Sequence, residues 1–360
     1  MNILYITNHL NVGGITSYCL TLAAGIKKRG NNIYIASSGG EVLPKFQESG
    51  INYFFVPLKT KNELSPKIIF SAIKLTKFIR KNNIDIIHTN SRTTQVLGCL
   101  LHRLTLARHV TTCHGFFNNK ISRVMFPCWG EKIIAISEQV KDHLINDFKV
   151  DNKRIEIINN GIDIEKFNSR IKSNLNIGEG PVIGIIARLS DVKGHEFLIR
   201  AFKLVLNNYP QAKLLIVGEG KMKVRLVKLV EDLGIDKNVV FIPGISDTRE
   251  ALSVMDVFVM PSLQEGLGLA LMEAMSMGLA VIGSDVGGIK TLIQDKQNGF
   301  LVKPADHQAL AQALIVLLAD AGKREALGLK ARKFISLNFS QDKMISKTLE
   351  VYSECLSAKD

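Results

Sequence analysis

The sequence predicts an α/β protein made of two doubly wound, Rossmann-like domains facing each other across a cleft. Three observations predict it. Short apolar runs alternate with longer amphipathic stretches along the whole chain, the pattern of successive βα units in a parallel sheet. The series breaks once, over the polar, strand-poor stretch from Asp163 to Gly180, and then restarts. Glycines and charged residues gather directly after the apolar runs, at the carboxyl ends of strands, where open α/β sheets bind ligands.

In the first half the apolar runs Ile3–Thr7, Ile33–Ala36, Tyr53–Val56, Ile84–His88, Val110–Cys113 and Lys132–Ile136 read as strands. Thr16–Lys28 and Lys67–Lys81 carry helical spacing between them. After the break, strands are predicted at Val182–Ala187, Lys213–Val217, Val239–Ile242, Val257–Met260, Ala280–Gly283 and Gly299–Val302. The intervening helices are Glu196–Asn208, Met222–Leu233, Thr248–Val254, Leu269–Met277 and Gln308–Ala319. A last helix, Ser340–Leu356, lies beyond the second series. The predicted division is 1–170, 171–340 and a terminal helix, 341–360, that packs back on the first domain.

Composition limits the class. A chain of 360 residues, 46% hydrophobic and 22% charged, has the size of two globular domains with ample core. No apolar run approaches the ~20 residues of a membrane span. Met1–Thr7 lacks the basic and long apolar regions of a signal peptide and reads as a buried first strand. Five scattered cysteines (Cys19, Cys99, Cys113, Cys128 and Cys355) form no Cys-x-x-Cys pair, which argues for a reducing cytoplasm.

The net charge of +13 is lopsided. Residues 1–170 hold 23 Lys and Arg against 12 Asp and Glu, so nearly all of the excess lies there. Lys59, Lys61, Lys67, Lys74, Lys77, Arg80 and Lys81 face only Glu63, and Ile68, Ile69, Phe70, Ile73, Leu75 and Phe78 lie among them. Such a basic amphipathic helix suits an anionic membrane surface, or a docked helix with a solvated lysine face. No aromatic-interleaved basic motif accompanies it, so nucleic acid is not expected as a partner.

The chemistry-bearing residues follow strands. After Val257–Met260 comes Pro261-Ser262-Leu263-Gln264-Glu265-Gly266-Leu267-Gly268-Leu269, then a helix carrying Glu273. The free N–H groups of a first helical turn favour anions. Gly266 and Gly268 admit a ligand close to the backbone. Glu265 and Glu273 are acceptors for hydroxyl donors, so phosphate and hydroxyl recognition together suggest a nucleotide-sugar. The plain alternative is a corner with two solvated glutamates.

Arg188 and Lys193 follow the first strand of the second domain, where a planar fork and a point charge can neutralise a diphosphate. Gly13-Gly14 opens the first helix but lacks the spacing of a dinucleotide fingerprint. His114 ends a strand in Thr112-Cys113-His114-Gly115. Arg92 is a candidate acceptor contact. No convincing metal ligation is visible, Asp163-Ile164-Glu165 being the nearest pattern, so no metal and no cofactor beyond the nucleotide-sugar is expected.

Taken in this order, the residues resemble the retaining glycosyltransferases of family 4, which have the GT-B fold. The resemblance spans the chain. It rests on Gly13-Gly14, Cys113-His114-Gly115, Asn160-Gly161-Ile162-Asp163, Arg188…Lys193-Gly194, Val217-Gly218-Glu219-Gly220, and Pro261 through Glu265, Gly266, Gly268 and Glu273 to Gly287-Gly288. It implies that Glu273 binds the ribose hydroxyls and Glu265 the donor sugar. Arg188 and Lys193 would hold the diphosphate, with Gly266, Leu267, Gly268 and Leu269 nearby. His114 would lie near the transferred sugar, and Gly13 and Gly14 near the diphosphate.

With no obvious enzymic nucleophile, retention implies front-face attack, assisted by the leaving phosphate. One departure stands out: Lys290-Thr291 follows Gly287-Gly288-Ile289, where the family commonly has Pro-Glu.

The expected activity is transfer of a hexose-type sugar from a nucleotide-diphosphate sugar to a lipid-linked or polysaccharide acceptor of the cell envelope. The first domain would take the acceptor, at the inner face of the cytoplasmic membrane. A nucleotide-sugar epimerase and a non-catalytic nucleotide-sugar-binding protein are the alternatives.

Overall fold

The computed structural model describes residues 1–357 apart from Lys61, Leu64, 119–122, 124, 125, 169, 170 and 246. Lys61 of the basic segment, the predicted boundary after residue 170 and the last three residues therefore lie outside the described residues. The chain divides into two compact units, Met1–Gly161 together with Gln341–Asp360, and Ile162–Ser340.

The first unit is a parallel sheet of β1 (Asn2–Ile6), β2 (Asn32–Ser37), β3 (Asn52–Phe55), β4 (Ile86–Thr89), β5 (Arg108–Cys113), β6 (Lys132–Ala135) and β7 (Ile155–Ile157), in the order β3-β2-β1-β4-β5-β6-β7. Its helices are α1 (Gly14–Lys28), α2 (Leu43–Glu48), α3 (Pro66–Lys81), α4 (Arg92–Thr105) and α5 (Glu138–Phe148). The terminal helix that completes this unit is described below. Strand order reverses between β1 and β4, so the loops after these two strands diverge and leave a crevice at their carboxyl ends.

Local sequence explains the helix starts. Ser65 caps α3 through the Lys67 N–H and Pro66 occupies its first turn. Ser91 and Thr94 form a capping box at the start of α4. Ser137 accepts from the Val140 N–H at the start of α5. Strand β7 escapes the sequence reading because Ile-Glu-Ile is a three-residue edge strand, too short for periodicity to register.

The second unit has β8 (Val182–Ile186), β9 (Lys213–Val217), β10 (Val239–Ile242), β11 (Val257–Met260), β12 (Ala280–Ser284) and β13 (Phe300–Val302), ordered β10-β9-β8-β11-β12-β13. Helices α6 (His195–Val205), α7 (Lys223–Asp232), α8 (Arg249–Leu252), α9 (Leu269–Ser276), α10 (Ile289–Leu292), α11 (His307–Ala319) and α12 (Ala321–Asn338) accompany them. The reversal here falls between β8 and β11. Helix α12 was not legible from spacing; Asp320 caps it, but its apolar residues do not form a clean stripe.

The terminal helix α13 (Gln341–Ser357) contributes Met344, Ile345, Val351, Tyr352 and Cys355 to the core of the first unit, beside β1, β2 and α1. A Cβ on Gly25 of α1 would lie 2.1 Å from Ile345 Cδ1, so glycine permits the close approach of these helices. Tyr352 OH hydrogen-bonds Tyr5 OH at 2.8 Å and also His88 Nδ1. Burial holds His88 well below the usual imidazole range, at about 3, so it serves as a neutral hydrogen-bonding ring inside the core.

Candidate active site

In the first unit the crevice residues lie on the loops after β1, β4 and β5. Gly13 and Gly14 are exposed at the start of α1, and nothing lies within 4 Å of where a Gly13 Cβ would stand, so a ligand can approach this backbone. His114 follows β5. Its Nε2 hydrogen-bonds Asn90 Oδ1 at 3.1 Å, and its ring meets the edge of Tyr18 with centroids 4.6 Å apart. Tyr18, one turn beyond Gly14, thus links His114 to the start of α1. Burial pushes the His114 imidazole down to about 3. It is neutral at neutral pH, a hydrogen-bonding group rather than a cation.

Asn8 Oδ1 accepts from Ser91 Oγ at 2.7 Å and Thr93 Oγ1 at 2.8 Å, which fixes the loop after β1 to the first turn of α4.

Arg92, the candidate acceptor contact, opens α4. Its side chain is only 7% exposed and pairs with Glu63 at 3.1 Å. Nη1 donates to the Pro127 carbonyl at 3.0 Å and Nη2 to the Phe126 carbonyl at 2.7 Å, while Trp129 lies 5.6 Å under the guanidinium. These partners engage all three guanidinium nitrogens within the first unit.

The second unit gathers the charged residues. Arg188 stands just past β8, exposed, with no ion-pair or hydrogen-bond partner among the described residues. Lys193 ends a 3-10 turn, Asp191–Lys193, and Gly194 follows with φ of 69°. A Gly194 Cβ would lie 1.9 Å from the Pro261 carbonyl, so only glycine allows the loops after β8 and β11 to touch. The Leu263 N–H donates to the Val192 carbonyl at 2.8 Å, and Lys193 Nζ pairs with Glu265 Oε2. The switch point of this sheet therefore holds a cation and a carboxylate in direct contact, both mostly buried.

The loop after β12 supports the arrangement from behind. The Gly288 N–H donates to the Glu265 carbonyl at 3.0 Å. A Cβ on Gly288 would fall 2.1 Å from the Gly266 carbonyl oxygen, and one on Gly287 2.2 Å from that of Glu265. Gly266, Leu267 and Gly268 are buried and lead into α9, with Gly268 at φ of 95°. Leu269 opens that helix. At the departure from the family pattern, Lys290 pairs with Asp285 at 3.1 Å on the surface.

Glu273 lies just over one turn into α9. Thr248 Oγ1, immediately before α8, donates to its Oε2 at 2.7 Å. Burial pushes the Glu273 carboxyl up to about 7, with the Asp247 charge adding to the shift and the Thr248 hydrogen bond and Lys166 opposing it. Sequence reasoning missed Thr248, Asn90 and Tyr18: each is a common residue whose contact spans a gap that no local spacing records. Among the described residues no three His, Cys, Asp or Glu side chains gather as a metal-binding group.

Comparison with known proteins adds two family matches. Residues 12–166 match the model described as Glycosyltransferase Family 4, and residues 167–334 that described as Glycosyl transferases group 1. The chain is 29% identical over 339 residues to the UDP-Gal:alpha-D-GlcNAc-diphosphoundecaprenol alpha-1,3-galactosyltransferase of Escherichia coli, covering 88% of this chain and 87% of that one. It is 27% identical to the N-acetyl-alpha-D-glucosaminyl L-malate synthase of Bacillus anthracis, covering 98% and 96%.

Among solved structures, a glycosyltransferase from Rickettsia africae matches with a TM-score of 0.84 at 25% identity, covering 99% of both chains. Anabaena Alr3699/HepE, solved with UDP and glucose, shares the fold with a TM-score of 0.86 at 21% identity, covering 98% and 99%.

Proposed function

Because this chain belongs to the group 1 glycosyltransferases of the family 4 type, with a two-domain GT-B fold, we propose that it moves a hexose-type sugar, with retention, from a nucleotide-diphosphate sugar to a lipid-linked or polysaccharide acceptor. The observation that carries this reading is the Lys193–Glu265 pair at the β8/β11 switch point, with Arg188 just past β8 and without a partner among the described residues. Departure of a nucleoside diphosphate builds negative charge, and two cations there favour bond breaking. Lys193 and Arg188 hold the diphosphate. Glu265, partly neutralised by Lys193, accepts from sugar hydroxyls, and the Gly266–Leu269 backbone supplies N–H donors.

Glu273 accepts from the ribose hydroxyls. His114, a neutral imidazole, hydrogen-bonds the transferred sugar. Gly13 and Gly14 leave room for the diphosphate. No side chain is assigned as a covalent nucleophile; the leaving phosphate takes the proton of the attacking acceptor hydroxyl on the same face. The reaction needs no metal in this reading, because the cations stabilise the leaving group.

The acceptor class is supported by the Escherichia coli relative, whose name specifies a diphosphoundecaprenol-linked sugar. An acceptor of that kind would bring the protein from the cytoplasm to the inner membrane face, where the basic first unit meets anionic lipid.

Thermal-shift screening against UDP, GDP and their sugars names the donor, since a ligand of the native state raises the melting temperature. Transfer to a prenyl-diphosphate-linked sugar, with the new anomeric linkage read by NMR, then tests the chemistry. An inverted linkage would remove retention; steady epimer formation without acceptor would sink the transferase reading.

A further inference from the structure

Helix α3 carries more apolar surface than its own unit uses. Ile68, Ser71, Ala72, Leu75 and Ile79 are buried, and the apolar members of this set pack in the core beneath the helix. Ile69, Phe70 and Ile73 point the other way and are 61%, 50% and 59% exposed. Lys67, Lys74, Lys77, Arg80 and Lys81 are exposed on the same outer side, and the helix has no acidic residue. Among the described residues none of these cations has a carboxylate partner. The outer face carries both sets. It is an apolar strip set among uncompensated cations.

The strip continues at one end. Arg80 Nη2 donates to the Leu104 carbonyl at 2.9 Å, which brings the end of α4 beside α3. There Leu104 and Leu106 are 43% and 79% exposed, next to the exposed Arg103.

We propose that the outer face of α3, extended by Leu104 and Leu106, is a docking surface for an anionic lipid bilayer, with Ile69, Phe70 and Ile73 entering the headgroup boundary and the cations meeting lipid phosphates. This rests on the reading that the acceptor is membrane-bound. Charge complementarity selects the occupant. A second copy of this chain would set five cations against five, and a solvated surface gives Phe70 and Ile73 nothing to bury against. A bilayer with negative headgroups satisfies both sets, because apolar burial and the surface potential act together on one helix face.

The full-length protein is tested by co-sedimentation with vesicles of equimolar phosphatidylglycerol and phosphatidylcholine, and with phosphatidylcholine alone. Binding is expected to the first and not the second. Lys74→Gln with Lys77→Gln should weaken it about fivefold per charge removed, and Phe70→Ser with Ile73→Ser should reduce it at least as much. All four positions are exposed, so melting temperature and transfer to a water-soluble acceptor should stay unchanged.

Phe70→Trp reports insertion directly, since Trp129, the one native tryptophan, is buried. Its emission should shift to the blue with anionic vesicles. No binding to anionic vesicles, binding untouched by the apolar variants, unshifted emission at position 70, or capture of an acidic protein in preference to vesicles would each overturn the proposal. Vesicle binding needs neither donor nor acceptor, so a failure of the transfer assay leaves it standing and sinks only the proposed reaction.

Discussion

Lys193 and Glu265, 72 residues apart in sequence, form an ion pair between the loops that follow β8 and β11. The pair sits where the strand order of the second sheet reverses, with side chains 19% and 12% exposed. Each partner neutralises the other and holds it in place. In the proposed reaction, a diphosphate entering beside Lys193 would compete with Glu265 for the ammonium and free carboxylate capacity for sugar hydroxyls.

Removing one partner should therefore act on stability and catalysis separately. Lys193→Met leaves Glu265 mostly buried and unpaired, costing about 1–3 kcal/mol of stability. It should also lower kcat/KM about 10²–10³-fold, the usual effect of losing one group that stabilises developing charge. Adding Glu265→Gln should restore much of the stability and none of the activity. Denaturant unfolding with steady-state kinetics on the wild type, the single and the double variant checks this; recovery of activity in the double variant would contradict the assigned roles.

Donor affinity should depend on pH through Glu273. Its carboxyl sits at about 7 in the free protein, while a ribose hydroxyl donates best to the carboxylate. Affinity for a nucleoside diphosphate should rise as pH passes upward through 7 and fall about tenfold per unit below it. Glu273→Gln should weaken binding and flatten that profile in calorimetry. Thr248→Val removes a hydrogen bond that favours the charged form, so it should move the inflection higher. Stability runs the other way: the raised value stabilises the fold below the unfolded carboxyl range, and that contribution is lost as pH rises through 7.

His114 makes no such contribution near neutrality. Its imidazole stays uncharged until about pH 3. The activity profile of the wild type should then show no inflection from this residue between neutral pH and that value. His114→Ala should lower kcat about tenfold to a hundredfold through a lost hydrogen bond, and His114→Gln should recover part of it. An NMR titration of His114 near pH 6 would contradict the buried neutral assignment.

Arg92 should behave as a structural residue. Arg92→Met leaves Arg123 as the ion-pair partner of Glu63 and takes a donor from each of the Phe126 and Pro127 carbonyls, at a cost of about 1–3 kcal/mol. Below its melting temperature the variant should keep the wild-type KM for acceptor, and a raised KM alone would return Arg92 to the acceptor site.

Gly288→Ala should fail through geometry. The new Cβ would stand 2.1 Å from the Gly266 carbonyl oxygen, and the neighbour is backbone. Relief requires the loop carrying Glu265 to move, costing about 1–3 kcal/mol and misplacing the carboxylate. Gly234→Ala, which meets nothing within 4 Å but holds φ of 63°, gives a backbone-strain control. It should lose stability without a comparable loss of kcat.

The sequence by itself determined the alternation of strands and helices, because apolar periodicity and glycine punctuation are local properties. It also marked Arg188, Lys193, Glu265, Gly268 and Glu273 as candidate ligand contacts, because ligands of open α/β sheets bind at strand ends that apolar runs reveal. It could not tell an engaged arginine from an available one: Arg92 and Arg188 both follow a strand, and only the packed chain gives Arg92 its glutamate, two carbonyls and a tryptophan. Nor could it divide the apolar residues of α3 between core and surface, since Ile68 and Ile69 are identical in composition and differ only in the face they present. Tertiary structure decided the Lys193–Glu265 contact, the elevated carboxyl of Glu273 and the neutral ring of His114. Each depends on burial and on partners distant in sequence, and neither quantity exists until the sheets have formed.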